Sequence, residues 1–229
     1  MPIPARIWDM IITIDGPAGS GKSTAARELA KALGIAHLDT GATYRAVTLL
    51  ALRRGVDFTD ETALADLARG MEIQMAPSGG RVGVLLDGQD VTDEIRTEAV
   101  SSNSQYAASS AAVRDVLVEL QRRLGQQLGS FVTEGRDQGS VVFPDADIKF
   151  YLDATPTERA RRRHEELRSH GQQTDYETVL EAIVQRDSRD RARNVGPLVV
   201  PDGATVIDTS DTEIPQVTQK LLDHVRALR

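Results

Sequence analysis

Gly16-Pro17-Ala18-Gly19-Ser20-Gly21-Lys22-Ser23 is a glycine-rich turn that closes on a lysine and a hydroxyl. It satisfies G-x-x-x-x-G-K-[ST] at every constrained position. The apolar run Ile11-Ile12-Thr13-Ile14 enters it and a helix-forming stretch, Thr24 to Leu33, leaves it. The order is therefore strand, loop, helix. Consecutive backbone N–H groups have to curl around phosphate oxygens, and side chains beyond Cβ would obstruct the curl, so glycine is the residue that permits it. Lys22 is expected to reach the β and γ oxygens of a nucleoside triphosphate and Ser23 to ligate magnesium, with the positive end of the helix dipole alongside. A glycine-rich turn can fit the pattern by chance, but a strand and a helix in the right places favour nucleotide phosphate binding by Gly16 to Thr24.

The 229 residues allow one sizeable core, or one core with a small inserted lobe, and the single domain with an insertion is the preferred reading. No apolar stretch approaches the roughly 18 residues needed to span a bilayer, and the first residues lack a signal-peptide core. A cytoplasmic protein with no membrane partner is expected. The absence of cysteine removes disulfides and thiolate metal sites, which is compatible with a reducing compartment. The formal net charge of -7 argues against general nucleic-acid binding. Positive charge is nevertheless concentrated in two segments, Arg159 to Arg168 and Arg186 to Arg193.

Residues 1–10 read as an extension with no fold of their own. After the first strand, Ile11 to Asp15, and the helix that follows the loop, Gly34 suggests a helix end and Ile35 to Asp39 a second strand. Thr40 to Arg45 then opens a helix running toward Gly55. From Met71 the pattern alternates: Met71, Ile73 and Met75 share one face, Ser78-Gly79-Gly80 turns, and Arg81 to Asp87 returns. That is a hairpin, and it predicts a small antiparallel lobe, about residues 60–96, inserted into the core. Glu98 to Leu128 reads as one or two helices, with Val113, Val116, Leu117, Leu120 and Leu124 at helical spacing. Phe131 to Glu134, Ile148 to Asp153 and Thr205 to Asp208 complete the strands, and a terminal helix is expected around Val217 to Leu228. Five short apolar strands alternating with helices predict an α/β fold of the phosphate-loop NTPase type: a parallel five-stranded sheet flanked by helices, with the antiparallel lobe and an arginine-rich lid at about residues 156–193. Ligands gather at the carboxyl ends of such strands, where the unusual polar segments also fall.

On a helix, Arg186, Asp190 and Arg193 share one face. A solvated helix with internal ion pairs is one reading, each pair contributing a few tenths of a kcal/mol. The other reading is a transfer centre, where two phosphorylated molecules meet and bidentate arginines neutralise their combined charge. The phosphate loop favours the second. Pro156 and Glu158 mark a helix start, and the arginines after them, Arg159 and Arg163 among them, suit a lid that keeps water from the donor. His164 reads as a solvated histidine. No catalytic Ser/His/Asp signature and no histidine cluster with metal-ligand spacing stands out.

Taken together these segments resemble the bacterial-type cytidylate kinases, within the nucleoside monophosphate kinases. The resemblance rests on Thr13-Ile14-Asp15-Gly16-Pro17, Asp39-Thr40-Gly41-Ala42-Thr43-Tyr44-Arg45, Glu94-Ile95-Arg96-Thr97, Glu134-Gly135-Arg136-Asp137-Gln138-Gly139 with Val142-Phe143-Pro144, and Arg186-Asp187-Ser188-Arg189-Asp190. It implies transfer of the ATP γ-phosphoryl group to CMP or dCMP with Mg2+, in pyrimidine nucleotide metabolism; a monomer is the default expectation. It also implies roles. Lys22, Arg136, Arg186 and Arg193 would serve the transfer, and Arg159 and Arg163 the ATP. Arg45, Arg136 and Arg193 would hold the acceptor phosphate, Thr40 and Tyr44 would line its pocket, and Asp137 with Arg186 would meet the ribose. Ser104, Arg114 and Asp190 would read the cytosine edge, with Gln105 the alternative to Ser104. Two other readings stay open: a kinase for another nucleotide or small-metabolite acceptor, and a nucleotide-dependent regulatory switch.

Overall fold

Ile11–Asp15 forms the strand that its apolar run predicts (β1), and it lies at the centre of a five-stranded parallel sheet. In this computed structural model residues 10–78, 81–169 and 171–228 are described, so most of the expected N-terminal extension and the glycines of the hairpin turn lie outside the described residues. The other strands of the sheet are β2 (Ala36–Asp39), β6 (Phe131–Gly135), β7 (Ile148–Asp153) and β8 (Thr205–Asp208), in the order β2-β6-β1-β7-β8. Ile14 sits beside Phe150 in the β1–β7 register, and Tyr151 beside Val206 in β7–β8. The antiparallel sheet consists of β3 (Ile73–Ser78), β4 (Arg81–Leu86) and β5 (Gln89–Asp90). The expected fold class is the observed one.

The chain divides into two compact units, residues 1–35 with 132–229, and residues 36–131. In the first, α1 (Lys22–Leu33) and α8 (Ile214–Ala227) pack together, and their apolar faces join the sheet in one core of Ile12, Ile14, Leu29, Phe150, Leu152, Val217 and Leu221, all fully buried. Removing apolar surface of this kind from water contributes about 25 cal/mol per Å² and is what holds the sheet in place. Helix α8 starts before Val217 because Pro215 fits its first turn and the Glu213 and Gln216 side chains cap it reciprocally. This unit also holds α6 (Pro156–Ser169), α7 (Tyr176–Arg191) and a π-helical turn at Gln138–Val142.

The second unit carries the antiparallel sheet together with α2 (Thr40–Arg54), α3 (Glu61–Gly70), α4 (Glu98–Ser109), α5 (Ala111–Leu128) and a 3-10 turn at Glu94–Arg96. Its own core joins Val47, Leu50, Leu64, Val84, Leu86, Ile95 and Leu117. The stretch from Glu98 forms two helices and not one because Ser110 is extended, accepts from Val113 N–H and donates to Glu61. A capping serine restarts the helix in a new direction.

Candidate active site

The phosphate loop is fixed by what its glycines allow. Gly16 has φ +148°, and a Cβ there would lie 2.0 Å from the Leu152 carbonyl oxygen. Gly21, at φ +87°, caps α1 in the left-handed region. Both positions exclude L-residues with side chains. Within the loop the Pro17 carbonyl accepts from Ser20 Oγ at 3.0 Å and from Lys22 Nζ at 2.7 Å. Lys22 is buried, and loss of solvation, then the nearby Arg136 and Arg186 guanidiniums, push its pKa down to about 7, against the pull of Glu134 and Asp15.

Ser23 opens α1 and is exposed, and its hydroxyl donates to Glu134 Oε1 at 3.0 Å. Asp15, buried at the end of β1, accepts from Gln138 N at 2.8 Å and Gly139 N at 2.7 Å. Burial raises its pKa to about 6 in spite of those two bonds. Asp15 therefore ties the strand before the phosphate loop to the π-helical turn after Arg136 and Asp137. Asp137 is itself buried, and its carbonyl accepts from Val141 and Val142.

Arg136 Nε donates to Asp190 Oδ2 at 2.9 Å, and Arg193 donates to the other oxygen of the same carboxylate. Burial works against ionisation of Asp190, but Arg136 and then Arg193 hold its pKa below the usual carboxylate range. Arg186, one turn earlier on α7, is solvent-accessible yet hemmed in by protein, and this crowding followed by the Arg136 charge pushes it down to about 10. The single helical face expected for Arg186, Asp190 and Arg193 is shorter than the spacing implied. Helix α7 ends at Arg191, the chain folds back so that Leu198 N–H reaches the Asp190 carbonyl at 2.8 Å, and Arg193 meets Asp190 from beyond the helix end.

Arg159, expected over the nucleotide, is fully buried. Its guanidinium forks onto Asp187 at 3.1 and 2.6 Å and also donates to Ala154 O and to Ala18 O in the phosphate loop. Arg163 is half exposed and pairs with Glu166 on its own helix. His164 stacks edge-on against Tyr176.

The second unit carries its own polar cluster. Arg45 and Arg96 both reach Asp39, and Arg114, fully buried in α5, donates to the Tyr44 hydroxyl at 3.1 Å and lies over its ring. Thr40 is buried at the start of α2, where its carbonyl accepts from Thr43 Oγ1. Ser104 turns its hydroxyl back to Ser101 O in α4, and the Gln105 side of that helix is exposed. Thr24 lies half-buried in α1. Sequence reasoning gave no role to four carboxylates that organise these groups: Asp15, Asp39, Glu134 and Asp187. Three of them stand in the quoted motifs at strand ends, which was the available signal. Asp187 also stands in a quoted motif, but nothing there points to its partner Arg159, 28 residues away.

A hydroxyl, a carboxylate, an amine in the loop and a carboxylate bridging two arginines are thus the polar groups of the first unit. Residues 12–227 match the family model described as cytidylate kinase. The chain is 48% identical to the cytidylate kinase of Pelotomaculum thermopropionicum over 95% of this chain and 96% of that one. It is 45% identical to the cytidylate kinase of Caldanaerobacter subterraneus over 94% of each. A shikimate kinase from Bacteroides thetaiotaomicron shares the fold, with TM-score 0.51, 13% identity and coverage of 95% and 98%. The chain belongs to the cytidylate kinase family.

Proposed function

We propose that this chain transfers the γ-phosphoryl group of ATP to CMP or dCMP, giving ADP and CDP or dCDP. Family membership supports that reaction, and the observation that carries the mechanism is the charge arrangement in the first unit: the phosphate-loop lysine lies within the influence of Arg136 and Arg186, beside a carboxylate that cannot balance them. The acceptor phosphate is already ionised at neutral pH, so no general base is needed. Catalysis falls to positioning and charge neutralisation. Gly16 to Thr24 wrap the donor phosphates. Arg159 acts on the donor through the Ala18 carbonyl that it holds, and Arg163, half exposed, is the lid guanidinium for ATP. Arg136, Arg186 and Arg193 take up charge as the phosphoryl group moves.

For magnesium, the hydroxyl of Ser23 and the carboxylate of Glu134 are hard oxygen donors already brought together, which is the donor chemistry this ion selects. Ser23 would ligate it, and Glu134 would hold one of its waters. When bound, the ion supplies charge neutralisation for the donor phosphates.

On the acceptor side, Arg45 takes the phosphate with Arg136 and Arg193, Thr40 and Tyr44 line the pocket, and Asp137 with Arg186 meets the ribose. Arg114, Asp190 and Ser104 read the base. A carboxylate accepts from the exocyclic amine of cytosine and would face an acceptor oxygen in uracil, so an unpaired polar contact rejects UMP. By the same reading the enzyme works as a cytoplasmic monomer in pyrimidine nucleotide supply.

The test is ADP release with ATP and Mg2+ and each of CMP, dCMP, UMP, AMP and GMP. Turnover is expected to be strongest with CMP and dCMP. Preference for another acceptor would discard the cytosine pocket, and the absence of acceptor-dependent release would discard the kinase reading.

A further inference from the structure

The turn after β8 reaches the phosphate loop from another part of the chain. In the sheet β8 is separated from β1 by β7, yet Thr209, fully buried just beyond the end of β8, donates its hydroxyl to the Ser20 carbonyl at 3.1 Å. Further on, Ile214 opens α8 so close to the loop that a Cβ on Gly21 would lie 2.7 Å from its Cδ1.

Thr209 is itself held firmly. Its N–H donates to the Asp153 carbonyl at the end of β7 at 2.8 Å, and its Oγ1 lies 3.0 Å from the same oxygen. Arg162 of α6 donates to the Thr209 carbonyl and, at 3.3 Å, to Oγ1. A hydroxyl has a single proton to give. The Asp153 oxygen already receives the Thr209 N–H and Arg162 takes up a lone pair of Oγ1, so the proton is left for Ser20.

The direction of that bond has a consequence inside the loop. A trans peptide is planar, with its C=O and N–H pointing opposite ways, so a carbonyl held on one side aims a donor at the other. Arg159 holds the Ala18 carbonyl at 3.1 Å and thereby aims the Gly19 N–H. Thr209 holds the Ser20 carbonyl and thereby aims the Gly21 N–H. Glycine leaves its flanking peptides free to turn, so a bond from outside is what fixes this one.

We propose that Thr209 is a positioning residue for the phosphoryl donor: its hydroxyl, steadied by Arg162 and Asp153, sets the Ser20–Gly21 peptide so that the Gly21 N–H faces the donor phosphates. This rests on the reading of Gly16 to Thr24 as the loop that wraps those phosphates.

The experiment measures KM for ATP and for CMP separately, well below each thermal midpoint, in Thr209→Val and Thr209→Ser, with turnover of Lys22→Ala alongside. Valine keeps the shape of threonine and loses the hydroxyl, whereas serine keeps the hydroxyl. Thr209→Val is expected to raise the KM for ATP by roughly three- to tenfold, the worth of one neutral hydrogen bond, with the KM for CMP unmoved and Thr209→Ser close to wild type. An unmoved or lowered KM for ATP in Thr209→Val overturns the proposal. Equal rises in both KM values also overturn it, since Thr209 would then support the fold without aiming the loop. Thr209→Ser as impaired as Thr209→Val overturns it as well, because the methyl group would be what matters. Near-normal turnover in Lys22→Ala removes the donor-loop reading, and the proposal with it. If Thr209→Val does not fold, Thr209→Ala decides by the same criteria.

Discussion

Asp187 and Asp190 lie one turn apart on α7, both buried and both bonded to arginine, but their surroundings differ in charge. Asp187 meets one guanidinium in a two-pronged fork, and Arg159 spends its other donors on backbone carbonyls. The charges cancel and nothing is left over. Asp190 meets Arg136 and Arg193, with Arg186 crowded alongside, so one carboxylate faces three cations. The comparison teaches that residue type and burial do not separate a closed ion pair from the cluster proposed to take phosphate. The local balance of charge does.

The sharpest way to break this comparison is to remove one charged partner from each side. Arg136→Gln is expected to lower kcat by about 10³-fold or more, the range for arginines that neutralise a transferring phosphoryl group, with little change in the denaturant midpoint. Steady-state turnover and equilibrium unfolding of the same preparation check both halves. Asp187→Ala should behave in the opposite sense at first, because it strands a buried guanidinium. A stability loss of roughly 3–5 kcal/mol is expected in urea unfolding. Replacing Arg159 and Asp187 together by apolar residues should recover much of it.

Asp15 sharpens the comparison from another side, being a buried carboxylate with no guanidinium bonded to it. Its pKa is raised, so the folded protein binds more protons than the unfolded chain between about pH 4 and 6. The stabilising contribution is present below the unfolded pKa and lost as pH rises through the folded one. The advantage of wild type over Asp15→Asn should therefore shrink by about 2 kcal/mol from pH 4 to pH 7, read from unfolding curves at each pH. Asp190, held by arginines, shifts in the opposite direction. The smallest effect expected is on selectivity: Asp190→Ala should reduce the preference for CMP over UMP by roughly tenfold, measured as the ratio of kcat/KM values. An unchanged ratio would leave Asp190 as an arginine holder with no part in reading the base.

The local features were legible because their causes are local. Strand β1, the glycine turn and α1 follow one another within 23 residues, and every requirement on them acts at that range. The hairpin of the second unit announced itself by alternation, and the five strands by short apolar runs between helices. The arginines were visible as a crowd, but their division of labour was not. Arg159 and Arg163 sit four residues apart in one charged helix, and sequence offers no reason for one to be sealed against Asp187 and the other to stay half in water. Asp39 and Glu134 were in view as the ends of strands, but their roles depend on arginines and a serine brought up from elsewhere in the chain.

What the sequence determined by itself was therefore the order of elements, the phosphate loop and the kind of ligand it holds, since backbone conformation and hydrophobic period are set by neighbouring residues. What only the tertiary structure decided was which carboxylate answers which arginine. Hydrogen bonds and ion pairs act over about 3 Å in space, with no regard to separation along the chain. Residues 28, 54 and 57 positions apart become partners only when strands and helices have packed.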